Sequence, residues 1–369
     1  MRFSTKKPLL ILGGGLIGLS LAHELASKGE KVEVLSRDRS EAAGFVAAGM
    51  LAPHAEGLTG TLLELGQRSL NRIPQWVKKI EDFSGMKCGL RNCGIVVPFL
   101  KPHELNNFPT ASFGKKLNRI DLEKEIPGIS EQWITGLLFE QDGQIDNRRQ
   151  LMRALEKSCV ELGVTFQEGV EVLDLIKNKN YLEGIIIRNA EGEKHQLACT
   201  KAIICSGAWS QKLLSDVPVF PVKGQMVSIQ GPKNALKRVL FGHGTYLVPR
   251  EDGLIVVGAT SEQDAGFTNG LTPSGQRQLK EGIHQLLPYA NTWPPMERWW
   301  GFRPCTPDGM PILGQSPLKG LWLATGHYRN GVLLAAITAE LIAKSICNEA
   351  LDLTEKNLLR SFRLDRFYE

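Results

Sequence analysis

The sequence has little of what marks membrane-spanning, disulfide-stabilised or nucleic-acid-binding proteins. Hydrophobic residues make up 42% of the 369 positions, but the apolar stretch near the start turns polar beyond Ala22 and is too short to span a bilayer. The seven cysteines are an odd number without a CxxC pair, and Cys88 and Cys93 have no second pair to complete a zinc site. The net charge is only +5, with scattered basic residues. We therefore expect no membrane span, no nucleic-acid partner and no metal site.

A secretory signal is the one targeting segment to weigh. Lys6 and Lys7 precede an apolar run, as in a signal peptide, but glycines interrupt that run and no small-residue cleavage site follows it. The odd cysteine count favours reduced thiols. We predict a cytoplasmic protein.

A cluster of glycines lies between a strand pattern and a helix pattern near the start of the chain. Leu9–Leu12 is an unbroken apolar run that predicts a buried strand. Apolar residues at helical spacing follow from Leu16, and Gly29 marks the end of that helix. The segment "KVEVLS", residues 31–36, predicts a second strand. This strand–turn–helix–strand order is the βαβ unit of a dinucleotide-binding fold.

The positions of the glycines agree with dinucleotide binding by this unit. Gly13 and Gly15 allow a sharp turn and a close approach of backbone amides to a pyrophosphate, and Gly18 allows close packing of helix and strand. The free amides of the first helical turn, at Leu16 and Ile17, face the phosphates together with the positive end of the helix dipole.

The unit lacks the acidic residue that usually binds a ribose hydroxyl at the end of the second strand. Ser36 occupies that position, followed by Arg37 and Asp38. Ser36 can still accept a hydrogen bond, whereas Arg37 is compatible with a phosphorylated ribose and hence with NADP. This stretch alone leaves FAD and a nicotinamide cofactor open.

Further along the chain, α/β patterns alternate with strand-rich blocks. We expect helices at 61–83 and at 147–162, the second capped by Asn147, and a strand-rich block over 217–260. Residues 320–346 repeat the opening order of strand, glycine-flanked turn and long apolar helix. The layout predicts a nucleotide domain interrupted by a second domain, which favours a flavoprotein over a nicotinamide dehydrogenase.

The predicted fold class is α/β plus α+β, with a Rossmann-like domain and an inserted substrate domain built on an antiparallel sheet. We assign 1–83, 146–215 and 296–369 to the nucleotide domain, and 84–145 and 216–295 to the substrate domain.

Six ordered motifs carry a resemblance to a known family. They are "AAGMLAPHAEG" (47–57), "PVKGQMVSI" (221–229), "YLVPR" (246–250), "VVGAT" (256–260), "GFRPCTPDGMPILG" (301–314) and "GHYRNGVLLA" (326–335). In order and spacing the chain resembles the FAD-dependent D-amino-acid oxidase and glycine oxidase superfamily, and within it the glycine oxidases of thiamine biosynthesis.

The resemblance implies FAD as cofactor and the oxidative deamination of glycine and similar small amines. Oxygen would be reduced to hydrogen peroxide, and the imine would supply the thiazole ring of thiamine. The sequence departs from the family at Ser36, and at Gly244, where some glycine oxidases have a histidine that here falls at His243. Cys305 lies off the position of a covalent flavin link in related sarcosine oxidases, so we expect non-covalent FAD.

The resemblance also implies the residues of the site. Arg303 would bind the substrate carboxylate through a two-pronged guanidinium contact, Tyr246 would donate to the same carboxylate, and Arg329 would face the substrate or the flavin edge. His54 is interpreted as a wall residue rather than an acid or base. Apart from the glycine turn, Ser36 and Arg37, the residues expected to bind the cofactor are Ala48, Gly49, Met50, Leu51, Val172, Gly207, Arg329, Asn330, Gly331 and Val332.

Three alternatives remain open at this point. The chain could be an FAD oxidase or dehydrogenase of another amino acid such as D-alanine, sarcosine or proline. It could be a nicotinamide-dependent reductase, as Arg37 suggests, or a flavin-binding assembly module without turnover. We expect a small-molecule substrate and oxygen as partners, and self-association into a homo-oligomer.

Overall fold

The computed structural model describes residues 7–368, so residues 1–6 of the predicted 1–83 segment, Lys6 among them, and Glu369 lie outside the described part. The helices within it are α1 (Leu16–Ser27), α2 (Gly60–Ser84), α3 (Pro102–Asn106), α4 (Arg119–Glu125), α5 (Met152–Glu161), α6 (Ser210–Leu213), α7 (Pro273–Leu286), α8 (Gly331–Ile346) and α9 (Leu353–Ser361).

The strands are β1 (Leu9–Leu12), β2 (Val32–Ser36), β3 (Met50–Leu51), β4 (Leu90–Arg91), β5 (Ile95–Phe99), β6 (Lys115–Leu117), β7 (Thr135–Phe139), β8 (Gly143–Ile145), β9 (Thr165–Glu168), β10 (Glu171–Asn178), β11 (Tyr181–Arg188), β12 (Lys194–Ala198), β13 (Ala202–Ile204), β14 (Phe220–Gln230), β15 (Val239–Phe241), β16 (Tyr246–Pro249), β17 (Leu254–Gly258), β18 (Pro295–Cys305), β19 (Ile312–Gln315) and β20 (Leu321–Thr325).

A six-stranded sheet contains the predicted βαβ unit. Its strand order is β19-β20-β13-β1-β2-β9. β1 pairs in parallel with both β2 and β13, because its four apolar residues are buried and suit an interior strand. The apolar sides of α1 and α8 share one buried core, which includes Leu19, Leu25, Ile337 and Leu341. Segments from the start, middle and end of the chain therefore build this sheet.

An eight-stranded sheet, ordered β18-β14-β17-β16-β15-β5-β7-β6, forms the second layer. All its neighbouring strands pair antiparallel except β15 and β5, which run parallel and join two separate stretches of chain. Two three-stranded sheets, β10-β11-β12 and β3-β8-β4, complete the strand pairing.

One predicted domain boundary cuts through this sheet. It falls between residues 295 and 296, at the start of β18, but β18 pairs with β14 from Pro295 to Cys305. Sequence periodicity could not reveal this, because the two strands are far apart in the chain. We therefore propose that residues 296–305 belong with the substrate layer.

The helix cap predicted at Asn147 is wrong. A single π-helical turn, Asn147–Leu151, precedes α5. The Asn147 side-chain amide donates to the carbonyl of Gly44 instead of to the helix start. Within residues 7–368, no helix is both long and apolar enough to cross a bilayer.

Candidate active site

A cleft of about 1800 Å³, which includes space open to solvent, is lined by both large sheets. The six-stranded sheet contributes the turn after β1 and the end of β2, and the eight-stranded sheet contributes residues of β14, β16 and β18. Most of the predicted site residues line it: Gly13, Gly15, Leu16, Ile17, Ser36, Arg37, Ala48, Gly49, Met50, Val172, Gly207, Tyr246, Arg303, Arg329, Gly331 and Val332. The cleft therefore brings the dinucleotide turn and the predicted substrate residues into one cavity.

The glycine turn is a tight backbone cradle. Gly13 has φ +124°, and a Cβ there would lie 2.5 Å from the carbonyl oxygen of Cys205. Gly18 lies beneath the cleft rather than in its wall, and a Cβ on it would stand 1.9 Å from the oxygen of Gly13. Gly15 caps α1 without any side-chain hydrogen bond, and the first turn of α1 carries no acidic residue. The helix start is thus left open for an anion.

Arg37, which directly follows β2, interacts with side chains of the protein itself. Arg37 pairs with Glu41 and lies over the indole of Trp209, 5.3 Å from its ring centre. Ser36 is buried, and its carbonyl accepts a hydrogen bond from the amide of Val170 at 3.0 Å. Because Arg37 already has an acidic partner and an aromatic partner, the predicted NADP alternative loses its main support.

The segment 48–51 is held by close backbone contacts. Gly49 has φ +87°, and a Cβ on it would lie 2.0 Å from the oxygen of Ile145. The buried Arg250 donates from Nη2 to the carbonyl of Ala48 at 2.6 Å. Leu51, which is predicted to bind the cofactor, does not line the cleft. Its side chain belongs to the buried core, because alternate residues of a strand point to opposite faces.

The start of α8 forms another wall of the cleft. Gly331 and Val332 line the cavity, while Asn330 is the N-cap residue and is buried outside the lining. No side chain of the described residues caps α8, and its first turn has no acid. Two helix N-termini, of α1 and α8, thus present free amides and the positive ends of their dipoles to the same cleft.

Glycines make room for the polar side chains on the large sheet. Arg303 of β18 donates from Nη1 to the carbonyl of Thr260 at 3.1 Å. A Cβ on Gly224 of β14 would stand 2.3 Å from that same nitrogen. A Cβ on Gly258 would stand 2.4 Å from the hydroxyl of Tyr246. The guanidinium and the phenol therefore lie flat against backbone.

Glu56 joins these groups and was not predicted. Its Oε2 lies 3.4 Å from Nη2 of Arg329, and only 8% of its side chain is exposed, against 45% of the Arg329 side chain. Burial raises the pKa of the Glu56 carboxyl, while the charges of Arg329 and Arg303 oppose that rise. The signal that could have revealed it was an acid inside the otherwise apolar segment 47–57, which the resemblance placed along the flavin.

His54 is a hydrogen-bonded group outside the cleft lining. Its Nδ1 lies 2.6 Å from Oδ1 of Asp142, and its Nε2 lies 3.0 Å from Nε2 of Gln67. His243 is exposed, and Cys305 is buried and donates to the carbonyl of Thr306. His54 is therefore held by hydrogen bonds within the protein and does not line the space that a substrate would occupy.

Burial keeps two titratable groups of the cleft neutral. It raises the pKa of Tyr246, and the nearby charges of Arg303 and Arg329 only partly oppose this. It lowers the pKa of His327 to about 3, and the ring Nε2 lies 3.0 Å from the hydroxyl of Thr338. Near neutral pH, Tyr246 is therefore a phenol donor, and His327 carries no charge.

A dinucleotide-binding sheet that faces an arginine- and tyrosine-bearing antiparallel sheet defines a dinucleotide-dependent oxidoreductase. The chain belongs to the DAO family, described as FAD dependent oxidoreductase, which matches residues 9–345. FAD is therefore the cofactor, and the cradle at Gly13 and the open starts of α1 and α8, all of which line the cleft, fit it. Among the residues that the structure describes, no three His, Cys, Asp or Glu side chains group as metal ligands.

Individual relatives agree with the family. The chain is 40% identical to the "Bifunctional protein ThiO/ThiG" of Trichormus variabilis over 98% of this chain and 55% of that one. It thus spans about half the length of such curated relatives. It is 28% identical to the "Glycine oxidase" of Pseudomonas aeruginosa strain PAO1, over 91% of this chain and 93% of that one. The crystal structure of glycine oxidase from Geobacillus kaustophilus superposes with a TM-score of 0.88 at 27% identity, covering 97% and 98% of the two chains. The predicted superfamily, fold class and cofactor are confirmed.

Proposed function

We propose that this chain oxidatively deaminates glycine and similar small amines. The observation that carries the proposal is the presence of Arg303 and Tyr246 in the same cleft as the dinucleotide cradle. Full-length similarity to the glycine oxidases of Pseudomonas aeruginosa and Geobacillus kaustophilus supports the substrate class.

Arg303 would align the substrate through its carboxylate. A guanidinium forms two parallel hydrogen bonds to a carboxylate and so fixes its direction. The bond from Nη1 to the Thr260 carbonyl and the bare backbone of Gly224 limit where this guanidinium can move. Tyr246 would add a donor, since its hydroxyl faces the same group of charges. Such alignment matters for a substrate as small as glycine, which has few other groups to hold.

Bound FAD would supply two-electron acceptance: a hydride would leave the substrate α-carbon, and the iminium ion left behind would lose one proton to become the imine. Oxygen would then take the electron pair, the hydride's proton and that released proton to give hydrogen peroxide. With the substrate amine neutral, the protein has no proton to remove before that step. The amides and dipole at the start of α8 would stabilise negative charge on the reduced ring by roughly 0.3–1 kcal/mol, or up to about 2 kcal/mol where partly buried.

The imine from glycine would feed assembly of the thiamine thiazole ring. The similarity to the bifunctional relative of Trichormus variabilis supports this reaction sequence. We also propose that the protein self-associates.

The experiment is a substrate panel on the purified protein. Flavin bleaching under nitrogen and peroxide formation in air are recorded with glycine, sarcosine, D-alanine, D-proline and L-amino acids. We expect a flavin spectrum, with fast bleaching and peroxide on adding glycine. Bleaching by another amine alone would replace glycine as substrate, and no bleaching by any amine would indicate a module without turnover.

Replacing the guanidinium tests the carboxylate site within the same assay. Arg303→Ala should keep FAD bound and raise KM for glycine by about 100-fold, because a charged hydrogen-bond partner is worth about 1.5–3 kcal/mol. Arg298→Ala is the matched control, since Arg298 is exposed on the same strand. Equal KM values in the two variants would remove Arg303 from the site.

A further inference from the structure

The polar part of the cleft holds two guanidiniums and one carboxylate. Arg303 donates to the Thr260 carbonyl and interacts with the Tyr246 hydroxyl, and within residues 7–368 its charge has no acidic partner in an ion pair. Arg329 has one, because Glu56 Oε2 lies 3.4 Å from its Nη2. Both guanidiniums act on the Glu56 carboxyl and on the Tyr246 hydroxyl. The four side chains thus form one electrostatic group.

Glu56 is held in the cleft by a fixed backbone. Asp142, which is fully buried, accepts at Oδ2 from the amides of His54 and Ala55 at 3.1 and 2.8 Å. Thr110 donates to the carbonyl of His54 at 2.6 Å. Glu56 follows directly after these anchored residues, so its position beside Arg329 is built into the fold.

The charges of this group favour a ligand with one carboxylate. Counting Arg303 and Arg329 as positive and Glu56 as negative leaves one unbalanced positive charge. One substrate carboxylate on Arg303 balances it. A second carboxylate on the same ligand would find Arg329 already paired with Glu56 and would be repelled by the charge of Glu56.

We propose that Glu56, through its ion pair with Arg329, excludes substrates that carry a second carboxylate. This rests on the proposed function, since it assumes that the amino-acid carboxylate binds Arg303. Glu56 is then a specificity-determining residue, and removing its charge frees Arg329 to bind the second carboxylate.

The test measures binding rather than turnover. Acetate and malonate are titrated into the FAD-loaded protein, and their affinities are read by calorimetry and by the shift in flavin absorbance. The wild type should bind acetate at least as tightly as malonate. In Glu56→Gln the malonate-to-acetate affinity ratio should rise by about tenfold or more. The substitution removes the negative charge that repels the second carboxylate, and it leaves the Arg329 guanidinium free to bind that carboxylate. Glu64→Gln, which removes an exposed acid paired with Arg68, should leave the ratio unchanged.

Two further variants identify the cause. Adding Arg329→Gln to Glu56→Gln should abolish the gain for malonate. If Glu56→Gln fails to hold FAD, Glu56→Asp, which keeps the charge but shortens the reach to Arg329, should give a smaller rise in the ratio. An unchanged ratio in whichever of these variants folds, or an equal rise in Glu64→Gln, overturns the proposal.

The proposed function can fail separately from this inference. If the protein shows the expected affinity ratios but does not oxidise glycine, the inference about charge selection stands and the proposed reaction is wrong. If neither acid binds the wild type or the variants, both the carboxylate site and the selection are wrong.

Discussion

At the residue scale, the site depends on positions that carry no side chain. Gly224 and Gly258 lie where a methyl group would collide with Arg303 and Tyr246. Both glycines are in motifs quoted from the sequence, but their partners lie on other strands. Local sequence patterns could therefore identify the motifs of the site, but they could not show which side chain packs against each glycine.

Glu56 shows a second limit at this scale. An acid near the end of the "AAGMLAPHAEG" segment is expected to be solvent-exposed when only its neighbours in sequence are known. Its burial follows from Asp142, which anchors the preceding amides from another part of the chain. Long-range hydrogen bonds of this kind leave no periodic signal.

Tyr246 provides a prediction with a defined pH dependence. Tyr246→Phe should raise KM for glycine by about tenfold or more, since one donor to a charged carboxylate is lost. Burial raises the pKa of this phenol above its ordinary value of 10.0, so the hydroxyl remains a donor throughout the range below that value.

The variant-to-wild-type KM ratio should then be constant from about pH 7 to pH 9. Steady-state kinetics on both forms across this range provides the measurement, and the substrate's own titration cancels in the ratio. A ratio that falls towards one near pH 8 or 9 would mean that the phenol ionises early and would contradict the assignment.

At the scale of elements, α1 and its flanking strands were predictable because each is encoded locally. Four apolar residues give β1, helical spacing gives α1, and the glycines between them fit only a tight turn. The same logic predicted α8 and the strand-rich block over 217–260, which contains β14, β16 and β17. It failed for the pairing of β18 with β14 and for the π-helical turn at Asn147, because long-range contacts determine both.

Substituting Gly18 by alanine allows a test in which helix propensity and packing have opposite effects on stability. Alanine in a helix interior stabilises by about 1 kcal/mol relative to glycine, and this is the most that propensity can contribute at Gly18, the third residue of α1. Here its Cβ would lie 1.9 Å from the backbone oxygen of Gly13, and neither backbone can move cheaply. We expect Gly18→Ala to lower the melting temperature, as overpacking substitutions do, and to weaken FAD binding at least tenfold.

Ser27→Ala is the matched control, because Ser27 is exposed at the end of the same helix. Calorimetry and flavin fluorescence during FAD titration would report both quantities. A Gly18→Ala protein as stable as the control, with unchanged FAD affinity, would show that the turn has more space than the structure indicates.

At the scale of the whole molecule, buried histidines make the fold sensitive to acid. His23 on α1 is fully buried, and within the described residues neither ring nitrogen has a hydrogen-bond partner. Burial lowers its pKa from 6.5 to about 4, with a smaller effect of the Lys79 charge. Between these values the unfolded chain binds a proton that the folded chain does not, so stability falls as pH falls.

The loss attributable to His23 is about 3 kcal/mol between pH 6.5 and pH 4. His23→Leu should remove that part of the pH dependence, leaving a flatter profile of unfolding free energy below about pH 6.5. Denaturant unfolding of the FAD-loaded protein at several pH values would measure it. Parallel profiles for the variant and wild type would assign the acid sensitivity to other groups, such as His327.

The strand order of the six-stranded sheet has a consequence for synthesis on the ribosome. The cradle at Gly13 precedes β13 by about 190 residues and the start of α8 at Gly331 by about 320 residues. The nascent chain must therefore hold its phosphate-binding turn without the opposite wall of the cleft while those residues are made. Because such long-range pairing is slow to form, stable capture of the flavin is a late event, and flavin supply should influence how much of the newly made protein reaches its native state.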